Sequence, residues 1–153
     1  MLPLGLVVAG LVIVLDQLSK WAMLTMLDGP VALTPFLNLV VVWNRGVSFG
    51  MFDSAGALGP WILSGLALAV VVALLLWLRR VEHSFAAVAL GLIIGGALGN
   101  VIDRIRFGAV FDFLDVHAAG YHWPAFNVAD SAICVGAVLL LVDGLLAPRR
   151  QIT

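Results

Sequence analysis

With 63% of its 153 residues hydrophobic, only 11% charged and a formal net charge of −1, the chain lacks the polar shell that a soluble domain of this size needs. The balance predicts a single-domain integral membrane protein and excludes a basic nucleic-acid-binding face. One cysteine, Cys134, excludes an intramolecular disulfide and a multi-cysteine metal centre, and its place in an apolar run predicts a buried, inert thiol.

The first apolar stretch, about Leu4 to Leu27, is long enough to span a bilayer, which takes roughly 20 residues. It has no basic leader and no clear small-x-small cleavage site, and its apolar character resumes after Lys20. It therefore reads as a retained helix and not as a signal peptide. Asp16 and Lys20 interrupt it four residues apart, in the favourable order for a helical ion pair. Charges within a span face protein and find partners, so the pair either orients this helix or serves a site directly.

The loop over about 28–57 reads as a hairpin. The stretch "FLNLVVVW" is rich in strand formers, "NRG" supplies a turn and "VSFGMF" returns. A second span, about Leu58 to Leu78, ends at Arg79-Arg80. A third runs from about Phe85 to Ile102, with Ala87, Gly91, Gly95 and Gly99 spaced four apart and Gly96 beside them, a stripe that lets a neighbouring helix approach closely. At its end Asn100, Asp103 and Arg104 share one face. The loop over about 103–127 contains "AVFDFLDVH", a candidate strand bounded by Gly108 and Ala119-Gly120. The fourth span, about Val128 to Leu146, opens on Asn127 and Asp130, three apart as in a capping box, and is followed by Arg149-Arg150.

Basic pairs after the second and fourth spans place those ends and both termini in the cytoplasm and the two long loops outside. Arg45, Arg104 and Arg106 then lie on the outer side against the rule, which points to local roles. Trp77 fits the inner interface, Trp21 and Trp61 the outer. Glu82 and Asp143 are expected to be solvated or paired, and Asp28 and Asp53 to be ordinary loop residues.

Three outer segments thus bring polar groups to one membrane surface: Asn44-Arg45, Asn100-Asp103-Arg104 and Asn127-Asp130. Asp112 and Asp115 lie on a fourth. No HExxH or GxSxG occurs, His83, His117 and His122 are scattered, and Ser19 cannot face its neighbour Lys20 on a helix, so metal and seryl mechanisms are disfavoured. Two carboxylates that share a proton suffice to activate water and polarise a carbonyl. Asp112 and Asp115 point to opposite faces of a strand, and either can be turned toward Asp130.

The residues resemble the bacterial lipoprotein signal peptidases, or signal peptidase II, through nearly the whole chain. "DQLSK" (16–20), "NRGVSFG" (44–50), "GGALGNVIDR" (95–104) with "GAVFDF" (108–113), and "FNVADS" (126–131) match that family's motifs in order. Phe111 stands where the family often has Val. The resemblance implies an all-α membrane protein of four transmembrane helices with a small extracytoplasmic β-sheet. It also implies an aspartyl endopeptidase of the bacterial inner membrane that needs no cofactor or metal and uses water as nucleophile. Such an enzyme cuts diacylglyceryl-modified prolipoproteins before the lipidated cysteine, and the family expectation is a monomer. Carried over by motif position, the catalytic pair is Asp112 and Asp130. Asn44, Asn100, Arg104 and Asn127 surround it as substrate or supporting contacts, with Asp16 and Lys20 structural or supporting. Cys134 is not a lipidation site, since bulky Ile133 precedes it. Two other readings are a proton-coupled transporter using Asp16 and a lipoprotein-binding chaperone without turnover.

Overall fold

The computed structural model describes residues 1–46 and 58–146. The expected return strand "VSFGMF", Asp53 and the Arg149-Arg150 pair lie outside the described residues. Among the described residues four helices are long and apolar enough to cross a bilayer: α1 (Leu2–Met26), α2 (Gly59–Leu78), α3 (Ser84–Phe107) and α4 (Val128–Leu146). A four-stranded antiparallel sheet joins them, formed by β1 (Val31–Thr34), β2 (Leu37–Asn44), β3 (Val110–Ala118) and β4 (Tyr121–His122) in that spatial order.

Helix α3 is the hub. Of its most apolar window 61% is buried, against 17–22% in the other three, because α1, α2 and α4 all pack on it. The glycine stripe explains how three helices can crowd one. A Cβ on Gly95 would come within 2.6 Å of the Ala9 carbonyl oxygen of α1. On Gly91 it would meet Gly5 O at 2.5 Å, and on Gly96 it would strike the Ala129 carbonyl oxygen of α4. Helices without side chains at their contacts approach until backbone meets backbone, which maximises dispersion where no hydrophobic force acts between them. Beside the stripe, Leu78, Ala87, Leu90 and Ile94 form a buried apolar cluster with Ala9 and Val71.

α3 extends beyond Ile102, where the apolar run ends, to Phe107. It stops at Gly108, whose φ of 71° is left-handed and whose N–H bonds back to the Arg104 carbonyl at 2.9 Å. This tight exit starts β3 directly above the end of α3.

The stretch "FLNLVVVW" does form a strand, β2, and β1, which the sequence did not reveal, precedes it. β1 and β2 pair with each other across Pro35-Phe36, where Pro35 presets the turn, and β2 then pairs with β3 from Asn44↔Val110 to Leu37↔Val116. The "NRG" segment does begin a turn, its Asn44 Oδ1 accepting the Gly46 N–H at 3.1 Å. Cys134 is also not where the apolar run implied. It is exposed, because α4 turns Ala129, Ala132 and Gly136 toward the bundle and Cys134 away from it.

The close approach of α3 and α4 can be tested. Gly96→Ala should destabilise the protein by about 1–3 kcal/mol, the usual cost of overpacking, read as a lower thermal midpoint in detergent. Gly10→Ala, at an exposed helical position with no atom within 4 Å, should leave the midpoint unchanged.

Candidate active site

Where the chain leaves α3 and returns to α4 decides which carboxylates meet. After β3 the chain reverses through Ala119 and Gly120, both at positive φ (51° and 82°), as a two-residue hairpin turn requires. It then runs back along β3. Trp123 N–H bonds Val116 O at 2.8 Å, and Phe126 exchanges backbone bonds with Leu114 at 2.9 and 3.0 Å. This pairing fixes where α4 begins and sets Asn127 against Asp112.

Asn127 is fully buried and joins the two aspartates. Its Nδ2 donates to Asp112 Oδ1 at 2.7 Å and approaches Asn100 Oδ1 at 3.2 Å and the Phe111 carbonyl at 3.3 Å. Its Oδ1 accepts the Asp130 N–H at 2.9 Å while Asp130 Oδ2 accepts the Asn127 N–H at 3.2 Å, the reciprocal capping box that the spacing predicted. The other oxygen, Asp130 Oδ1, accepts from Asn100 Nδ2 at 2.8 Å. Asn44, two residues from Asp112's cross-strand partner Val42 and on the same face, donates to Asp112 Oδ2 at 3.2 Å.

Behind this pair lies a buried cation. Lys20 Nζ sits 2.9 Å from Asp16 Oδ2, 2.7 Å from Asp103 Oδ2 and 3.2 Å from Asn100 Oδ1. Asp16 Oδ1 also accepts the Ala129 N–H at 2.9 Å, filling one of the orphan donors at the start of α4. Asp103 Oδ2 accepts the Phe111 N–H at 3.1 Å and so ties β3 to α3. Gln17 links Asp16 and Asp103 at 3.2 and 2.9 Å. Asp16 and Lys20 therefore form the expected ion pair, and the two carboxylates around Lys20 hold the segments that carry Asp112 and Asp130.

Of the sequence-selected residues, Asp112, Asp130, Asn44, Asn100, Asn127, Asp16 and Lys20 form one hydrogen-bonded network. Arg104 lies beside it, with a buried Nε that has no partner among the described residues. Gln17 and Asp103 were not selected as site residues, although their adjacency to Asp16 and Arg104 was visible. Asp115 turns away from Asp130. It accepts from Asn38 at 2.9 Å and pairs with His122 at 2.8 Å. Burial pushes Asp115 up, but the hydrogen bonds from His122 and Asn38 outweigh it and hold its carboxyl below the usual range. For Asp112 the balance reverses. Burial first, then the charge of Asp130, lift it from 3.8 to about 7, against the hydrogen bonds from Asn44 and Asn127 and the charge of Lys20. Among the described residues no group of His, Cys, Asp and Glu has metal-binding geometry. The arrangement is a pair of carboxylates, one able to keep a proton near neutrality, at the end of the bundle beneath the sheet.

The chain is similar to known proteins. A family model described as "Signal peptidase (SPase) II" matches residues 8–146. A "Lipoprotein signal peptidase" of Methylorubrum extorquens (strain PA1) is 49% identical over 97% of this chain and 90% of its own length. One of Ralstonia nicotianae is 50% identical over 90% of this chain and 82% of its own. A solved structure described as a bacterial membrane enzyme at 2.3 Å superposes with a TM-score of 0.83 at 28% identity, covering 97% of this chain and 92% of that one.

The buried cation permits a test without substrate. Lys20→Met leaves Asp16 and Asp103 facing each other unpaired and should cost about 3–5 kcal/mol. Asp16→Asn keeps an oxygen for the Ala129 N–H and should cost less. The two thermal midpoints in detergent rank the effects.

Proposed function

The chain belongs to the signal peptidase II family, and from that premise we propose that it removes the signal peptide from lipid-modified prolipoproteins with Asp112 and Asp130 as its catalytic pair. The observation that carries this reading is the Asn127 side chain, which binds Asp112 with its amide and caps the helix that presents Asp130. A peptidase of this kind must deliver one proton and accept another. Asp112, lifted to about 7, holds the shared proton. Asp130, whose two oxygens each accept an N–H, takes a proton from the attacking water. The water oxygen adds to the scissile carbonyl as Asp112 protonates its oxygen. The C–N bond then breaks as the proton on Asp130 passes to the leaving amine and one hydroxyl proton of the gem-diol returns to Asp112, which restores the pair and leaves a carboxylic acid. No covalent acyl-enzyme forms on this route.

We place this site at the outer face of the bacterial inner membrane. The short α2–α3 connection with Arg79-Arg80 lies at the end opposite the sheet, and basic residues favour the cytoplasmic side. Prolipoproteins reach such a site from the bilayer, and the scissile bond lies just before the lipidated cysteine. A monomer suffices, because every residue of the network comes from one chain. The transporter reading is not favoured. Asp16 is fully engaged by Lys20, Gln17 and the Ala129 N–H, which leaves no free carrier acid.

Incubation of the purified protein with a diacylglyceryl prolipopeptide should release a product whose new N-terminus is the lipid-bearing cysteine, read by mass spectrometry. Asp112→Asn and Asp130→Asn should each lower turnover at least about a thousandfold, within the range of general acid–base catalysis, while remaining folded. Full activity in either would remove that residue from the mechanism.

The pH profile tests the roles. Cleavage should fall as pH rises through about 7, because Asp112 then loses the proton it must donate. Asn44 donates to the ionised form of Asp112 and so lowers its pKa. Asn44→Ala should therefore move the alkaline limb of kcat/KM to higher pH. A limb that stays in place would assign the proton to another group.

A further inference from the structure

Arg45 and Arg106 stand at the sheet end of the bundle, the outer side proposed above, where basic residues are disfavoured. Among the described residues neither forms an ion pair with a carboxylate. Asp103, the acid nearest in sequence to Arg106, is held by Lys20 and Gln17. A cation in the last turn of α3 suits the helix dipole, but that field asks only for charge and not for the geometry found here.

The Arg106 guanidinium lies over the Phe107 ring, 4.8 Å from its centroid, and its Nη1 donates to Gln17 Oε1 at 3.3 Å. Gln17 is itself fixed, since its Nε2 donates to Asp103 at 2.9 Å and approaches the Gly99 carbonyl at 3.3 Å. The fork of Arg106 is thus positioned from both α1 and α3. A guanidinium has five N–H donors, and among the described residues only one of them is engaged. Arg106 is exposed, so the rest are free for an anion. Phe107 stacks edge-on against Trp43, and the two rings line a cavity of about 340 Å³ with Arg45 and Ala109.

A planar fork of this kind suits a phosphate, which it can bind through two parallel bonds. The surroundings say which phosphate. Trp21, Ile105 and Phe107 are exposed near the outer ends of α1 and α3, at the level where aromatic residues meet lipid headgroups. A phosphate from water gains nothing from that apolar flank, whereas a phospholipid brings acyl chains to lie along it. Two cations without a carboxylate favour a headgroup of net negative charge, because the ammonium of a zwitterionic one meets like charge. We propose that Arg106, held by Phe107 and Gln17, binds the phosphate of an anionic phospholipid of the outer leaflet in the groove between α1 and α3, with Arg45 adding charge across the adjoining cavity. The inference stands apart from the peptidase reading, since bound lipid is what is measured.

The test places the full-length protein in nanodiscs of phosphatidylglycerol and phosphatidylcholine in equal amounts, and native mass spectrometry counts the lipids that stay bound when the disc is stripped. Wild type should keep phosphatidylglycerol over phosphatidylcholine by about fivefold, what one arginine is worth at an anionic surface. Arg106→Gln should remove most of that preference, and Arg45→Gln added to it should remove the remainder. Arg106→Lys keeps the charge at the helix end but loses the fork, and should fall between wild type and Arg106→Gln. Arg79→Gln with Arg80→Gln, at the opposite end of the bundle, should leave the preference unchanged. Phosphatidylglycerol should also raise the thermal midpoint of wild type and not of Arg106→Gln. A preference that survives Arg106→Gln, or that disappears with the Arg79 and Arg80 changes, overturns the site. Full retention in Arg106→Lys overturns the fork geometry on which it rests. Displacement of the lipid by soluble glycerol 1-phosphate overturns the membrane as the source of the phosphate.

Discussion

The buried amide of Asn127 is the interaction on which the rest of the site depends. An amide offers donors on one side and an acceptor on the other, and here both are used across element boundaries. The donor side holds Asp112 on β3 and reaches Asn100 on α3, while the acceptor side starts α4. A carboxylate at this position could cap the helix but would repel Asp112, and an aliphatic residue could do neither. The group that fixes the geometry is therefore neutral, which lets two acids stand close without a third charge between them.

That geometry sits at the end of a bundle whose interior is otherwise apolar, and the buried Lys20 reconciles the two. Burying isolated charges is costly, and two carboxylates around one ammonium lower that cost only if the remaining hydrogen-bonding capacity is also filled. Asp16 and Asp103 meet this condition by accepting the N–H groups of Ala129 and Phe111. The same bonds that satisfy the buried acids anchor the first turn of α4 and the start of β3. Satisfying the charges and positioning the site are thus one set of contacts, and the glycine stripe of α3 brings α1 and α4 close enough to make them. A Cβ on Gly99 would stand 2.6 Å from Asp16 Oδ2, so this carboxylate occupies space that only glycine leaves open.

The four helices were legible because a bilayer imposes one strong rule, an apolar run of sufficient length, and each run here obeys it. Local chemistry was legible as well. The capping box of Asn127 and Asp130 and the ion pair of Asp16 and Lys20 are contacts three or four residues apart on a helix. What spacing could not supply was anything set by strand parity or by a return path. Asp112 and Asp115 were equivalent candidates from periodicity, and the motif resemblance chose Asp112. What sets Asp112 and not Asp115 against Asn127 is the pairing of Phe126 with Leu114, visible only once the chain has turned at Ala119-Gly120. The pairing of β2 with β1 is not legible, because a β-branched run marks a strand without naming its partner. The exposure of Cys134 is not legible either, because an apolar run in a membrane protein does not say which face meets protein and which meets lipid.

That last ambiguity bears on function. In water an exposed apolar face is a liability, whereas in a bilayer it is the ordinary surface, so exposure carries no signal by itself. The face of α4 that bears Cys134 is concave, lined also by Trp123 to Phe126 and by the carboxylate of Asp130. Trp123 and Phe126 are held by the same backbone bonds to β3 that set the start of α4. The pairing that brings Asp130 toward Asp112 therefore also shapes the apolar groove beside it. The start of α4 thus sets a carboxylate and an apolar surface within a few residues of each other.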